Sequence, residues 1–318
     1  MRLRSVRPED PDPADRALAE LLRRLDGLGY DFVAPTPATH ERVVGRPEMR
    51  QARGLRDVFG WSLPFGRALL PEDLADLLDR GGALAKEGAL CRSRVRVSRV
   101  AGTLFLHGAF PTDRPDAVFL GPDTYRFVRF VTAELAEPCR VARIVDMGAG
   151  AGAGGILASR LLPGAAVILV DSNPAALRLA RINAAAAAVA VETVAAASLD
   201  PVPGPLDLVI ANPPFIMDEG GPAYRDGGAM LGAGLSHQWA LATARRLAPC
   251  GRMLLYTGSA IVAGRDGLRD ALERDLAPLG CGLRYDEIDP DIFGEQLEQP
   301  AYREVERIAA VGAVITRP

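Results

Sequence analysis

The 318-residue sequence holds four cysteines, three histidines and, among its 37 basic residues, a single lysine, Lys86. Cys91, Cys139, Cys250 and Cys281 are scattered, with no C-x-x-C pair and no histidine at metal-ligand spacing. That argues against a disulfide framework and predicts no metal site; reduced, mostly buried thiols are expected. No run approaches about 18 uninterrupted apolar residues, so no membrane span is expected. The N-terminus turns acidic and proline-rich where a secretory signal needs an apolar stretch, which points to a cytoplasmic protein. Excess positive charge is missing too: the formal net charge is -3 and the pI about 5.8. A long nucleic-acid partner ordinarily leaves a basic footprint. The arginine-for-lysine bias accompanies alanine-rich runs and reflects a GC-rich coding sequence, so arginine alone signals no nucleic acid.

What is present suffices for a core: 48% of residues are hydrophobic and 24% charged, and the length suits two ordinary domains. Charge is segregated between them. Through Phe110 there are 18 Arg and Lys against 15 Asp and Glu; the remainder carries 19 against 25.

The first part reads as a small α+β unit. Leu18, Leu21, Leu22 and Leu25 fall at helical spacing, from a start near Asp12 or Asp15 to an end at Gly27 or Gly29. A second helix is expected over 72–78, behind Pro71. Alternation over 93–100 and 102–110 predicts paired strands turning at Ala101 and Gly102. The aromatic stretch 57–65 is expected in the core rather than as a substrate wall. From Pro111 the pattern becomes strand–helix alternation. Strands are expected over 143–148, 165–171, 206–212, 251–257, 280–288 and 311–317, helices over 173–187 and 235–247, and a helix end followed by a strand over 184–198. Such alternation predicts a doubly wound α/β domain, a mostly parallel seven-stranded sheet covered on both faces. The expected division is an N-terminal accessory or substrate-recognition domain over 1–112 and a second domain over 113–318.

Asp146, Gly148, Gly150 and Gly152 form D-x-G-x-G-x-G between an expected strand and an expected helix. Glycines there let the backbone turn tightly and approach a ligand. Alone, the loop suits several nucleotides. The next strand ends in Asp171, where an acid can accept hydrogen bonds from both hydroxyls of a ribose. NAD and S-adenosylmethionine (SAM) both present such a ribose. Asp146 tips the choice, because a carboxylate repels a pyrophosphate but suits the cationic amino and sulfonium groups of SAM.

The strand over 206–212 ends in Asn212, Pro213, Pro214 and Phe215. Each proline restricts the residue before it to extended backbone, giving a stiff turn with two fewer donors. The Asn212 side-chain oxygen and the Pro213 carbonyl can accept both N–H bonds of a planar amide or amine, and Phe215 offers a face for stacking.

With these residues in order, the sequence over about 117–318 resembles the class I SAM-dependent methyltransferases. Within them it is similar to the N/D-P-P-Y/F N-methyltransferases of the small-domain type, which include glutamine methyltransferases of release factors and ribosomal proteins and several rRNA and tRNA base methyltransferases. Residues 119–128 look like the P-D-T segment that helps close the SAM pocket in the glutamine enzymes. Two positions depart: Tyr125 stands where those enzymes carry Glu, and Phe215 where they carry Tyr, a phenylalanine commoner among rRNA guanine-N2 enzymes. The resemblance implies a Rossmann-like fold and SAM as cofactor. It implies that Asp146, Gly148, Gly150 and Gly152 form the cofactor loop, that Asp171 binds ribose, and that Ser198 and Asp200 lie by the adenine. Asp123 and Thr124 close the pocket, and Asn212 borders the cofactor while Asn212, Pro213, Pro214 and Phe215 hold the target nitrogen. A protein glutamine, a nucleic-acid base or a small natural product is the expected acceptor. Transfer or cyclisation of the aminocarboxypropyl arm, or SAM binding without turnover, are the competing readings. The segment 217–238, with Tyr224, Arg225, Asp226 and His237, is a candidate cover for the substrate; His237 is read as a polar residue at a helix start.

Overall fold

The computed structural model describes residues 12–111, 114, 116–137, 140–217 and 226–318. Four helices open the chain: α1 (Pro13–Gly27), α2 (Pro37–Val44), α3 (Leu55–Phe59) and α4 (Glu72–Arg80). Asp12 starts α1 by accepting a hydrogen bond from the Ala14 N–H at 2.9 Å, with Pro13 at the first helical position. Its Leu18, Leu21, Leu22 and Leu25 are buried, as their spacing requires. Two hairpins follow: β1 (Leu84–Glu87) with β2 (Leu90–Ser93), and β3 (Val95–Val100) with β4 (Thr103–Gly108). The second turns at Ala101 and Gly102, both at positive φ. Phe59 and Phe65 of the aromatic stretch are fully buried in the core.

The larger region follows with α5 (Pro122–Glu134), β5 (Arg143–Met147), α6 (Ala153–Leu161), β6 (Ala166–Asp171), α7 (Pro174–Ala186), β7 (Glu192–Ala195) and β8 (Leu206–Ala211). Then come α8 (Gly234–Ala244), β9 (Leu247–Val262), β10 (Arg265–Asp266), α9 (Gly267–Leu276), β11 (Gly282–Asp289) and β12 (Arg307–Thr316). The sheet order is β11-β12-β9-β8-β5-β6-β7, with the two-residue β10 paired to β9. Strands β9, β8, β5, β6 and β7 run parallel; β12 is antiparallel to both β9 and β11. The seven long strands are the ones the pattern predicts. β9 is much longer than expected, because its pairing with β12 continues from Arg252 to Ile261. α9, capped by Asp266, was not anticipated.

The two regions differ in topology but share one apolar core, which runs from Leu18 and Leu25 through Phe105 to Ile156 and Leu169. Asn183 of α7 is fully buried at the junction. Its Oδ1 accepts from the Leu106 N–H (2.8 Å), and its Nδ2 donates to the carbonyls of Leu106 (3.0 Å) and Ala151 (2.9 Å). Cys91 and Cys281 are buried, and Cys250, at positive φ within β9, is exposed, so the described thiols are mostly buried as expected. Cys139 lies outside the described residues. No helix among the described residues is long and apolar enough to cross a membrane.

Candidate active site

A cavity of about 610 Å³ opens at the carboxyl ends of β5, β6 and β8, where ligands bind in open α/β sheets. Its floor is the glycine loop. Gly148, Gly150 and Gly152 all take positive φ. At Gly148 a side chain would also meet the Trp239 ring at 2.9 Å, so an indole from α8 lies directly against the loop. At Gly150 nothing lies within 4 Å of where a Cβ would stand, which leaves bare backbone facing the cavity.

Two carboxylates set this loop. Asp146 is buried, and its Oδ2 accepts from the Gly155 N–H at 2.7 Å, tying the end of β5 to the first turn of α6. Burial, reinforced by the charge on Asp171, pushes its pKa up to about 7. Asp171 accepts from the N–H groups of Gly150 and Asn173, both at 2.8 Å. Burial raises its pKa as well. A carboxylate has about four acceptor positions, so two remain for a diol.

A third acid comes from the start of α5. Asp123 is 6% exposed and accepts from the buried Tyr256 hydroxyl at 2.7 Å; Arg126, which bridges to Asp289 at 2.9 Å, stands 3.6 Å away. Burial raises its pKa against the opposing effects of Tyr256 and Arg126. Thr124 also lines the cavity, its Oγ1 accepting from the Gly121 N–H at 3.4 Å.

Asn212, Pro213, Pro214 and Phe215 line the same cavity from the end of β8. The Asn212 carboxamide has no hydrogen-bond partner among the described residues. The turn is backed from behind. The Gly227 N–H donates to the Ile216 carbonyl at 2.7 Å, and the buried Tyr302 hydroxyl accepts from the Met217 N–H at 2.7 Å. The Phe215 ring is 8% exposed, lies on Gly258 and meets Phe293 edge-on with centroids 5.6 Å apart.

Nearly all the residues singled out in the sequence therefore meet in one cavity. Gly152 does not line it, packing instead against Ala180, Ile156 and Leu169, and neither do Ser198 and Asp200. They bond to each other at 2.9 Å, and the cavity wall after β7 is Ala196 and Ala197. His237 pairs with Asp275 of α9 at 2.9 Å and does not line the cavity, in keeping with its reading as a helix-start residue. Tyr224 and Arg225 lie outside the described residues, whereas Asp226 bridges beside Ile216. Sequence reasoning missed Trp239, Tyr256, Phe293 and Tyr302. Each is distant in the chain from the motif it contacts, and although Trp239 and Tyr256 fall in an expected helix and strand, nothing in the local sequence ties any of the four to the site.

The methyltransferase small domain family matches residues 127–224. A release factor glutamine methyltransferase of Cereibacter sphaeroides is 31% identical over 259 residues, covering 76% of this chain and 88% of that protein. The ribosomal RNA small subunit methyltransferase C of Pseudomonas paraeruginosa is 28% identical, covering 65% and 58%. The release factor glutamine methyltransferase of Deinococcus radiodurans is 31% identical over 124 residues, covering 39% and 44%. Against several of these curated relatives the chain spans about half of their length. Among solved structures, a 16S rRNA N2 methyltransferase of T. thermophilus (RsmC) in complex with AdoMet and guanosine superposes with a TM-score of 0.47 at 16% identity, over 80% of this chain and 64% of that one. The chain belongs to the methyltransferase small domain family of SAM-dependent methyltransferases.

Proposed function

We propose that this protein is a SAM-dependent N-methyltransferase acting on a planar amide or amine nitrogen. The observation that carries the reading is Asn212, an unpartnered carboxamide on a proline-stiffened turn, in one cavity with the Gly150 backbone and the Asp171 carboxylate. The residues present fit the cofactor. Bare loop backbone and Asp171 suit a nucleoside, and the nearby acids Asp146 and Asp123 suit its cationic arm. When bound, SAM supplies an electrophilic methyl group on a sulfonium.

The chain's own task is then positioning, which carries most of the acceleration of an in-line displacement. Asp171 holds the ribose hydroxyls. The Asn212 Oδ1 and the Pro213 carbonyl accept the two N–H bonds of the acceptor, which favours a localised lone pair and stabilises the positive charge that grows on nitrogen. A protein glutamine, an RNA base or a small molecule satisfies that geometry. Free thiols at Cys91, Cys250 and Cys281 suit a reducing compartment, the cytoplasm.

Calorimetric titration with SAM and with NAD tests the reading. SAM is expected to bind in preference, and Asp171→Ala to lose roughly 1.5–3 kcal/mol of that affinity, the scale of hydrogen bonds to a charged group. Preferential binding of NAD, or unchanged SAM affinity in the variant, contradicts it.

A further inference from the structure

The cavity that holds Asn212 is also lined by segments outside every motif named so far. On one side stand Pro37, Ala38 and Glu41 of α2 with Phe110; on another, Phe293 and Glu295, from the turns between β11 and β12.

Both aromatic residues are held firmly. Phe110 stacks on His40 of α2, centroids 4.1 Å apart. His40 is itself fully buried, with Nε2 3.1 Å from the Trp61 carbonyl and Nδ1 3.3 Å from the Arg96 guanidinium. The α2 wall is thus pinned from behind by the N-terminal core. Phe293 is more unusual, because its backbone is left-handed, φ 55 and ψ 38. A bulky residue there is strained, and such strain concentrates at ligand-binding sites. Here the strain points an aromatic ring into the cavity, edge-on to Phe215 of the catalytic turn. Negative charge joins the rings: Glu41 and Glu295 also line the cavity, and neither forms an ion pair among the described residues.

We propose that Phe293 and Phe110 are acceptor-contacting, specificity-determining residues, and that they select a compact planar nitrogen group that is neutral or cationic rather than anionic. This inference rests on the N-methyltransferase reading above. Aromatic faces favour a flat π-system over a saturated ring of equal size. The ring faces and the two glutamates together favour positive or neutral charge and oppose a carboxylate or phosphate. The N-terminal unit thereby acquires a role, supplying part of the cavity wall.

The test uses the full chain saturated with S-adenosylhomocysteine, whose own affinity is measured first by calorimetry. Failure of that first binding step counts against the methyltransferase reading, not against the acceptor wall. Three probes follow, read by ligand-observed NMR and calorimetry: 4-aminobenzamide (planar, neutral), 4-aminobenzoate (planar, anionic) and cyclohexanecarboxamide (saturated, neutral). 4-Aminobenzamide is expected to bind about tenfold more tightly than 4-aminobenzoate, and also more tightly than cyclohexanecarboxamide. Phe293→Leu, which keeps apolar bulk and removes the ring, is expected to lower the planar-over-saturated preference by about fivefold, with S-adenosylhomocysteine affinity held. Glu41→Lys is expected to narrow the neutral-over-anionic preference. Equal or tighter binding of 4-aminobenzoate, equal binding of the saturated amide, an unchanged preference in Phe293→Leu, or no binding of any probe overturns the proposal.

Discussion

Asn183 of α7 accepts from the Leu106 N–H of β4 at 2.8 Å and donates to the Leu106 carbonyl at 3.0 Å, and it donates as well to the Ala151 carbonyl in the glycine loop. One buried side chain thus occupies the place of a neighbouring strand beside the N-terminal hairpin and steadies the loop that faces the cavity. The N-terminal region is docked on the cofactor half by polar pairing as well as by apolar contact.

Asn183→Leu is accordingly expected to destabilise the protein by roughly 2–4 kcal/mol, because it leaves three buried backbone groups without a partner. Denaturant unfolding of the full chain measures this. A loss under about 0.5 kcal/mol, the usual range for a surface change, would show that the junction carries little. The same reasoning bears on the division expected near residue 112. A fragment over 114–318 exposes Asn183 and the apolar face of α7, and is expected to be insoluble or to unfold more readily than the full chain.

Asp146 couples the cofactor site to pH. Its folded pKa of about 7 lies above the ordinary carboxylate value of 3.8, so this group's contribution to stability is fully present below that ordinary value. The contribution fades as pH rises through about 7. A cation bound beside it favours the charged carboxylate and reverses the cost. SAM affinity is therefore expected to be several-fold higher at about pH 8 than at about pH 6, with proton release on binding near neutrality, and Asp146→Asn to flatten the dependence and weaken binding. Titration in buffers of differing ionisation enthalpy reads the proton directly. Affinity that falls with rising pH contradicts the assignment.

Much of this arrangement was legible in the sequence, for identifiable reasons. The glycine loop, Asp171 and Asn212 sit at strand ends, where local pattern fixes both the element and the direction in which the next residues leave it. The positions that escaped depend on contacts that pattern does not encode. Ser198 and Asp200 miss the wall because the backbone after β7 presents Ala196 and Ala197 to the cavity instead. Phe293 depends on a left-handed phenylalanine, which no propensity anticipates, and Tyr302 on a hydroxyl reaching back 85 residues to Met217. The α2 wall needed the docking of two regions whose sequences read as separate units.

The most direct test of the central claim incubates the full chain with methyl-labelled SAM and a cell extract, then locates the label by mass spectrometry. The account predicts methyl transfer to nitrogen. In Asn212→Ala, transfer is expected to fall by about 10²–10³ while SAM affinity stays within a few-fold, the usual cost of losing one preorganised polar contact to developing charge. Asn212→Asp, which keeps an acceptor, is expected to retain partial transfer. Label on oxygen or carbon, transfer of the aminocarboxypropyl arm, or undiminished transfer by a SAM-binding Asn212→Ala protein would contradict it.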